Sequence, residues 1–158
     1  MPTRAGWGRL VNNTVCAAEE VVVHMTEEVP PELAPFVAEK VVLLQTRKRD
    51  GSWVNTPVNI AVDGDRAYFR TPGSASKNKR LRNDPEVQIR SCSWSGKPTG
   101  PPMAATARLL SGDESTTAGR AIDRKYPVLQ RILVRLAHRI MRTPTLHYEL
   151  TNLRRPTE

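Results

Sequence analysis

Between Val41 and Thr71 the chain alternates short apolar runs with glycine-centred turns, and this spacing restricts its fold more than any other feature. Val41 to Thr46 is apolar and β-branched, and Arg49-Asp-Gly51 is a hairpin turn. Trp53 to Val62 sets Val54, Thr56, Val58, Ile60 and Val62 on one face, the period of a half-buried strand. Asp63-Gly-Asp65 turns the chain again, into a third strand from Arg66 to Thr71. Three more strands are predicted: Glu86 to Ser93, Met103 to Leu110 and Thr145 to Leu153. Pro31 to Glu39 reads as a short helix with Leu33, Phe36 and Val37 on one face. Glu114 to Arg142 also reads as helical, divided where Pro127 opens a second piece. The expected class is mainly β with helices (α+β), a small six-stranded antiparallel β-barrel with helices packed outside. The absence of βαβ alternation argues against a doubly wound dinucleotide fold.

At 158 residues the chain is one domain by length, with room for a single core. That domain is expected over residues 25–158. Residues 1–24 show no clear period and are expected to be a mobile extension, with an extra strand or an arm on a partner subunit as the alternative. No apolar run approaches the roughly 18 residues of a membrane span. Glu19 and Glu20 interrupt Val15 to Val23, so no secretory core is read there. Cys16 and Cys92 have neither metal spacing nor a disulfide framework, which predicts a reduced, cytoplasmic setting. His24, His138 and His147 form no metal constellation, and no Ser-His-Asp arrangement is argued from spacing.

The formal charge of +8 and a pI near 10.1 point to an anionic partner: nucleic acid, anionic lipid or an acidic cofactor. The segment from Tyr68 to Pro85 narrows the choice. It reads as a strand end, a Gly/Ser turn and a short basic helix stopped by Asn83-Asp84-Pro85. A turn of small residues feeding a helix start leaves backbone N–H groups free and adds the positive end of the helix dipole. Ser74 and Ser76 are expected to cap that start, and Lys77, Lys79 and Arg80 add full charges, an arrangement suited to a phosphate. Against nucleic acid, the chain has only 5% aromatic residues and no helix-turn-helix or RNP-like segment. Val128 to Met141 is a basic amphipathic helix, expected to dock on the barrel rather than lie on a membrane surface. Cys92 and Met103 are expected in the core, and Trp53 and Trp94 are expected to cover core edges beside turns.

The succession of strand 41–46, "DGSWVNTPVNIAVDGDRAYFRT", "GSASKNKRLRNDP", "VQIRSC" and a strand ending "ATARLL" resembles the pyridoxamine-phosphate-oxidase-like split β-barrel flavoproteins. Within them it looks closest to the actinobacterial branch that uses the deazaflavin coenzyme F420. The resemblance spans roughly Pro31 to Leu153, and its best motif is Lys77 placed ahead of Asp84-Pro85. It implies an FMN-binding-like barrel that forms a homodimer with the cofactor in a groove between subunits. By position, Thr56, Pro57 and Val58 would lie along the ring system, and Arg70 and Thr71 would approach the ribityl chain. Ser74, Ser76 and Lys77 would take the phosphate, with Lys79 and Arg80 nearby.

The chain departs from the FMN-using oxidases of this superfamily. They commonly carry a basic residue at each end of the second-strand motif and an Arg-Lys pair at the helix. Asn55, Ile60 and Ser76-Lys77 stand at the matching positions here. The resemblance therefore implies F420, whose phosphodiester and polyglutamate tail suit a diffuse basic surface such as Lys79, Arg80, Arg82 and Arg90. The implied activity is F420H2-dependent hydride transfer to a small unsaturated substrate, in which no side chain need act as a nucleophile. An FMN protein on the same fold is the alternative, and a basic nucleic-acid-binding module is the alternative of another class.

Overall fold

The computed structural model describes residues 28–127 and 144–156. Six strands, β1 (Val41–Arg47), β2 (Trp53–Asp63), β3 (Arg66–Pro72), β4 (Glu86–Ser91), β5 (Met103–Leu109) and β6 (Thr145–Arg154), close into one antiparallel barrel in the order β1-β2-β3-β6-β5-β4. The six-stranded split barrel expected from the sequence is the fold observed. The two hairpin turns form where Gly51 and Gly64 take φ of +85° and +61°, values that side chains on Cβ disfavour. Asp50 tightens the first turn by accepting from the Ser52 amide at 2.9 Å and the Ser52 hydroxyl at 2.6 Å.

Strand alternation divides the apolar residues into two layers. Val42, Leu44, Ile60, Phe69, Val87, Ile89, Ala105, Tyr148 and Leu150 fill the barrel interior, with the Phe69 and Tyr148 rings stacked at 5.1 Å. Ala61 and Tyr68 point the other way and meet Ala118, Ala121 and Ile122 of α2 (Gly112–Lys125). Those helix residues recur at the spacing of one helical face. Asp113 and Glu114 in the first turn of α2 and Arg124 and Lys125 in the last complement its dipole.

At its far end α2 is tied to the barrel. The Tyr126 hydroxyl lies 2.6 Å from the Lys40 carbonyl and 2.7 Å from that of Ile60, and Lys125 donates to the Glu39 carbonyl at 2.6 Å. Burial pushes the Tyr126 phenol up to about 12, so it keeps its proton.

Four expectations are corrected. The Pro31–Glu39 segment forms only a 3-10 turn, Ala34–Phe36, which still buries Leu33 and Phe36 against the barrel. The strand expected to run to Ser93 ends at Ser91, because Ser93 instead closes a turn with Lys97 and Gly96. Helix α2 begins at Gly112, two residues before the expected start. Trp94 covers no core edge: it is 92% exposed at the tip of that turn. Cys92 and Met103 are buried as expected. The expected extension 1–24 and basic helix 128–141 lie outside the described residues. No helix among the described residues is long and apolar enough to cross a membrane.

Leu44 is fully buried at the barrel centre. Leu44→Ala should destabilise the chain by about 2–5 kcal/mol, from lost transfer energy and the cavity left behind. Urea unfolding of the two proteins checks this.

Candidate anion site at the barrel end

β3 and β4 are consecutive in the chain but not neighbours in the barrel, so the connection must cross the barrel end. Helix α1 (Ser76–Asn83) makes that crossing and seals the end with buried Leu81 and Asn78. Asn78 sets the turn ahead of the helix. Its Nδ2 donates to the Pro72 carbonyl at 2.8 Å and the Gly73 carbonyl at 3.0 Å, while its Oδ1 accepts from the Tyr148 hydroxyl at 3.2 Å. Those two carbonyls are the acceptors that the Ser76 and Lys77 amides would use in a longer helix. The Pro72 carbonyl also accepts from the Ala75 amide at 3.0 Å, and the amides of Ser76 and Lys77, the first two of the helix, have no partner among the described residues. Asn78 was not singled out from the sequence, where it stands inside a run of charges. Its only signal there is an asparagine in a helix interior.

The expected caps are corrected: the N-cap is Ala75, and neither Ser74 nor Ser76 makes a side-chain cap bond. Ser76 is the first helical residue, and its hydroxyl lies 3.4 Å from an Arg80 Nη1 donor. Arg80 also donates through Nε to Thr46 Oγ1 of β1 at 2.8 Å, which fixes the guanidinium over the β1 edge. Helical spacing puts Lys77 on that flank, one turn before Arg80. Burial first, and the Arg80 charge second, lower the Lys77 pKa. The same spacing turns Lys79 and Arg82 to the opposite flank. None of these four cations has a carboxylate within 4 Å among the described residues.

The remaining predicted residues separate by strand alternation. Thr56 and Val58 face the barrel interior, Val58 within the core, while Pro57 between them faces outward. Gly96 packs against Pro57, so the β4–β5 turn flanks that outer face. Thr71 is buried at the end of β3, two residues before Gly73. Arg70 lies on the opposite face, beneath α2, and pairs with Asp123 at 2.8 Å. The structure thus brings Ser76, Lys77 and Arg80 together and sets Arg70 apart from them.

Arg70 belongs to a second polar cluster. His147, its register partner on β6, accepts from or donates to Ser115 of α2 at 2.8 Å through Nδ1. Burial chiefly, and the Arg70 charge next, lower the His147 pKa, against a smaller opposing effect of Asp123. Its surroundings beneath α2 thus favour the neutral ring.

No family model matches the chain, and no curated protein matches it. Solved structures do. A protein of unknown function, Atu2129 from Agrobacterium tumefaciens, superposes with a TM-score of 0.56 at 19% identity over 73% of this chain, which spans only 50% of that protein's length. HutZ, a heme storage protein from Vibrio cholerae, gives a TM-score of 0.55 at 15% identity over 80% of this chain and 94% of its own. An F420-H2 dependent reductase, FDR-A, gives 0.50 at 15% identity over 70% and 93%. At these identities the likeness shows the fold alone, a closed six-stranded antiparallel split barrel shared with HutZ and FDR-A.

Two predictions follow from the clusters at α1 and α2. Asn78→Ala removes both donors from the Pro72 and Gly73 carbonyls and strands the Tyr148 hydroxyl. It should cost about 1–3 kcal/mol of stability by the desolvation of unpaired buried groups, read from denaturant midpoints. His147 binds a proton less readily folded than unfolded. Its contribution to stability is therefore complete above about pH 6.5 and is lost as pH falls through the lower folded value. His147→Gln should flatten the fall in Tm between about pH 7 and 5, measured by thermal melts across that range.

Proposed function

We propose that the chain is an F420H2-dependent oxidoreductase, working as a homodimer with a small unsaturated substrate. The observation that carries this reading is the entry to α1. There, backbone amides without a partner among the described residues adjoin a half-buried lysine and a fixed arginine, neither with a carboxylate within 4 Å among those residues. An arriving phosphodiester would accept from the Ser76 and Lys77 amides and the Ser76 hydroxyl and would offset the mutual repulsion of Lys77 and Arg80. Lys79 and Arg82 offer further exposed charge to an acidic tail.

Strand β2 favours F420 over FMN. Asn55 is engaged with Gln45 at 2.8 Å and Ile60 is fully buried, so neither end of the motif offers a cation to a doubly charged phosphate. The shared fold of the F420-H2 dependent reductase supports the same choice. The deazaflavin, when bound, supplies the hydride. The residues of the chain hold and orient it: Ser76, Lys77 and Arg80 at the anionic end, and the outward face of β2 at Pro57 along the ring. Thr71, Ser74 and Lys79 border the entry, and Arg70 acts from behind β3 by fixing α2.

Coverage of the barrel supports the dimer. Helix α2 packs on β2, β3 and β6, whereas on the outer face of β1 and β4 Leu43 is buried but Gln45, Gln88 and Arg90 stay partly exposed. Trp53, 40% exposed and lying under Arg47 at 5.2 Å, is set at the margin of that face. A second subunit there would enclose the ring and exclude water from the hydride transfer.

Titration of the purified protein with F420 and with FMN, side by side, tests the reading. Tryptophan fluorescence should be quenched saturably by F420 and far less by FMN. Lys77→Ala should weaken F420 binding by about 1.5–3 kcal/mol, the worth of a charged hydrogen bond. Saturable binding of FMN in preference to F420 would assign the site to flavin. Unchanged affinity in Lys77→Ala would remove the phosphate from α1.

A further inference from the structure

A cavity lies at the other end of the barrel from α1, where β4 finishes at Ser91, β5 begins at Met103 and β6 runs out at Arg154. It has a volume of about 770 Å³, within the range of small-molecule sites. Its walls are largely apolar and stiff, with Pro31, Pro35, Pro101, Pro102 and Pro156 among them and Phe36 and Met103 beneath. Proline rings have almost no rotamer freedom to lose, so a ligand meets a surface that is already formed. Phe36 and Met103 are held by the barrel core, which fixes the floor.

Charge is confined to the mouth. Arg154 is taken by Glu86 at 3.0 Å, which leaves Arg155 as the guanidinium with no ion pair or side-chain hydrogen bond among the described residues. Glu32 stands elsewhere on the rim and is likewise without an ion pair there.

We propose that this cavity is a binding site for a small planar aromatic acid, its ring against the proline walls and its carboxylate on Arg155. A planar guanidinium matches a carboxylate through two parallel hydrogen bonds. Flat proline faces suit a flat apolar body better than a branched one. Glu32 repels the carboxylate from its own part of the rim and so sets the ligand's direction. The site is separate from the α1 entry and does not depend on which cofactor binds there.

The test uses the full chain and 2-naphthoate, followed by calorimetry, with uncharged 2-naphthamide as the control. Naphthoate should bind saturably and more tightly than the amide. Arg155→Gln should weaken naphthoate by about tenfold, the worth of a charged pair, and leave the amide unaffected. Glu32→Gln should tighten naphthoate. Both substitutions are at exposed positions, so circular dichroism should match the parent. Lys77→Ala should bind naphthoate like the parent, and F420 should not displace it. Absence of saturable binding, equal affinity for acid and amide, or indifference to both charge substitutions would overturn the proposal. Displacement by F420 would overturn the separateness of the site.

Discussion

Pairing of β1 with β4, from Val42 opposite Ser91 to Thr46 opposite Val87, is the constraint on which the rest of the molecule depends. It closes the sheet and removes the unpaired edges that would otherwise recruit other strands. Closure in the order β1-β2-β3-β6-β5-β4 leaves the third and fourth strands apart in space. The chain must therefore pass over an open barrel end between them. An eight-residue helix does this while burying Leu81 and Asn78 as a plug. The same necessity brings a turn of small residues, a helix start and the lysine and arginine of α1 to one rim.

The arginines sort by partner, and the sorting separates structure from function. Arg70 meets Asp123, Arg124 meets Asp63, Arg154 meets Glu86, and Arg108 bridges Glu114 and buried Glu149. Each of these ties one strand or helix to another. The cations of α1 have no such counter-charge among the described residues, and Lys77 is held part-buried at a cost to its charged form. The backbone amides of Ser76 and Lys77, at the start of the same helix, also have no partner among the described residues.

Alternation explains how strand residues that are adjacent in sequence diverge in role. On β3, Phe69 and Thr71 point into the barrel while Tyr68 and Arg70 point under α2. On β2, Val58 is spent on the core and Pro57 is presented outward. A ligand lying along these strands meets alternate side chains and the backbone between them, not a continuous run of residues. The polar cluster under α2, with Arg70, Asp123, His147 and Ser115, fixes the helix that flanks the barrel and lies apart from the α1 entry.

The strands, the two glycine turns and the basic helix after β3 were legible in the residues, because period-two alternation and positive-φ glycines are local signals. So was the burial of Cys92 and Met103, small or flexible apolar groups within strand patterns. Local pattern failed where long-range contact decides. The proline-rich segment before β1 has an apolar face, yet it forms only a 3-10 turn, since Leu33 and Phe36 gain their burial from the barrel rather than from helix. Trp94 carries no local mark of its exposure. Sequence alone determined that this chain would be a small antiparallel barrel with a cationic helix start, because hydrophobic period and charge are written residue by residue. Only the tertiary structure decided which cations remain without counter-charge among the described residues, that Asn78 is buried at the barrel end, and that a proline-walled cavity stands at the far end, because each depends on groups distant in the chain meeting in space.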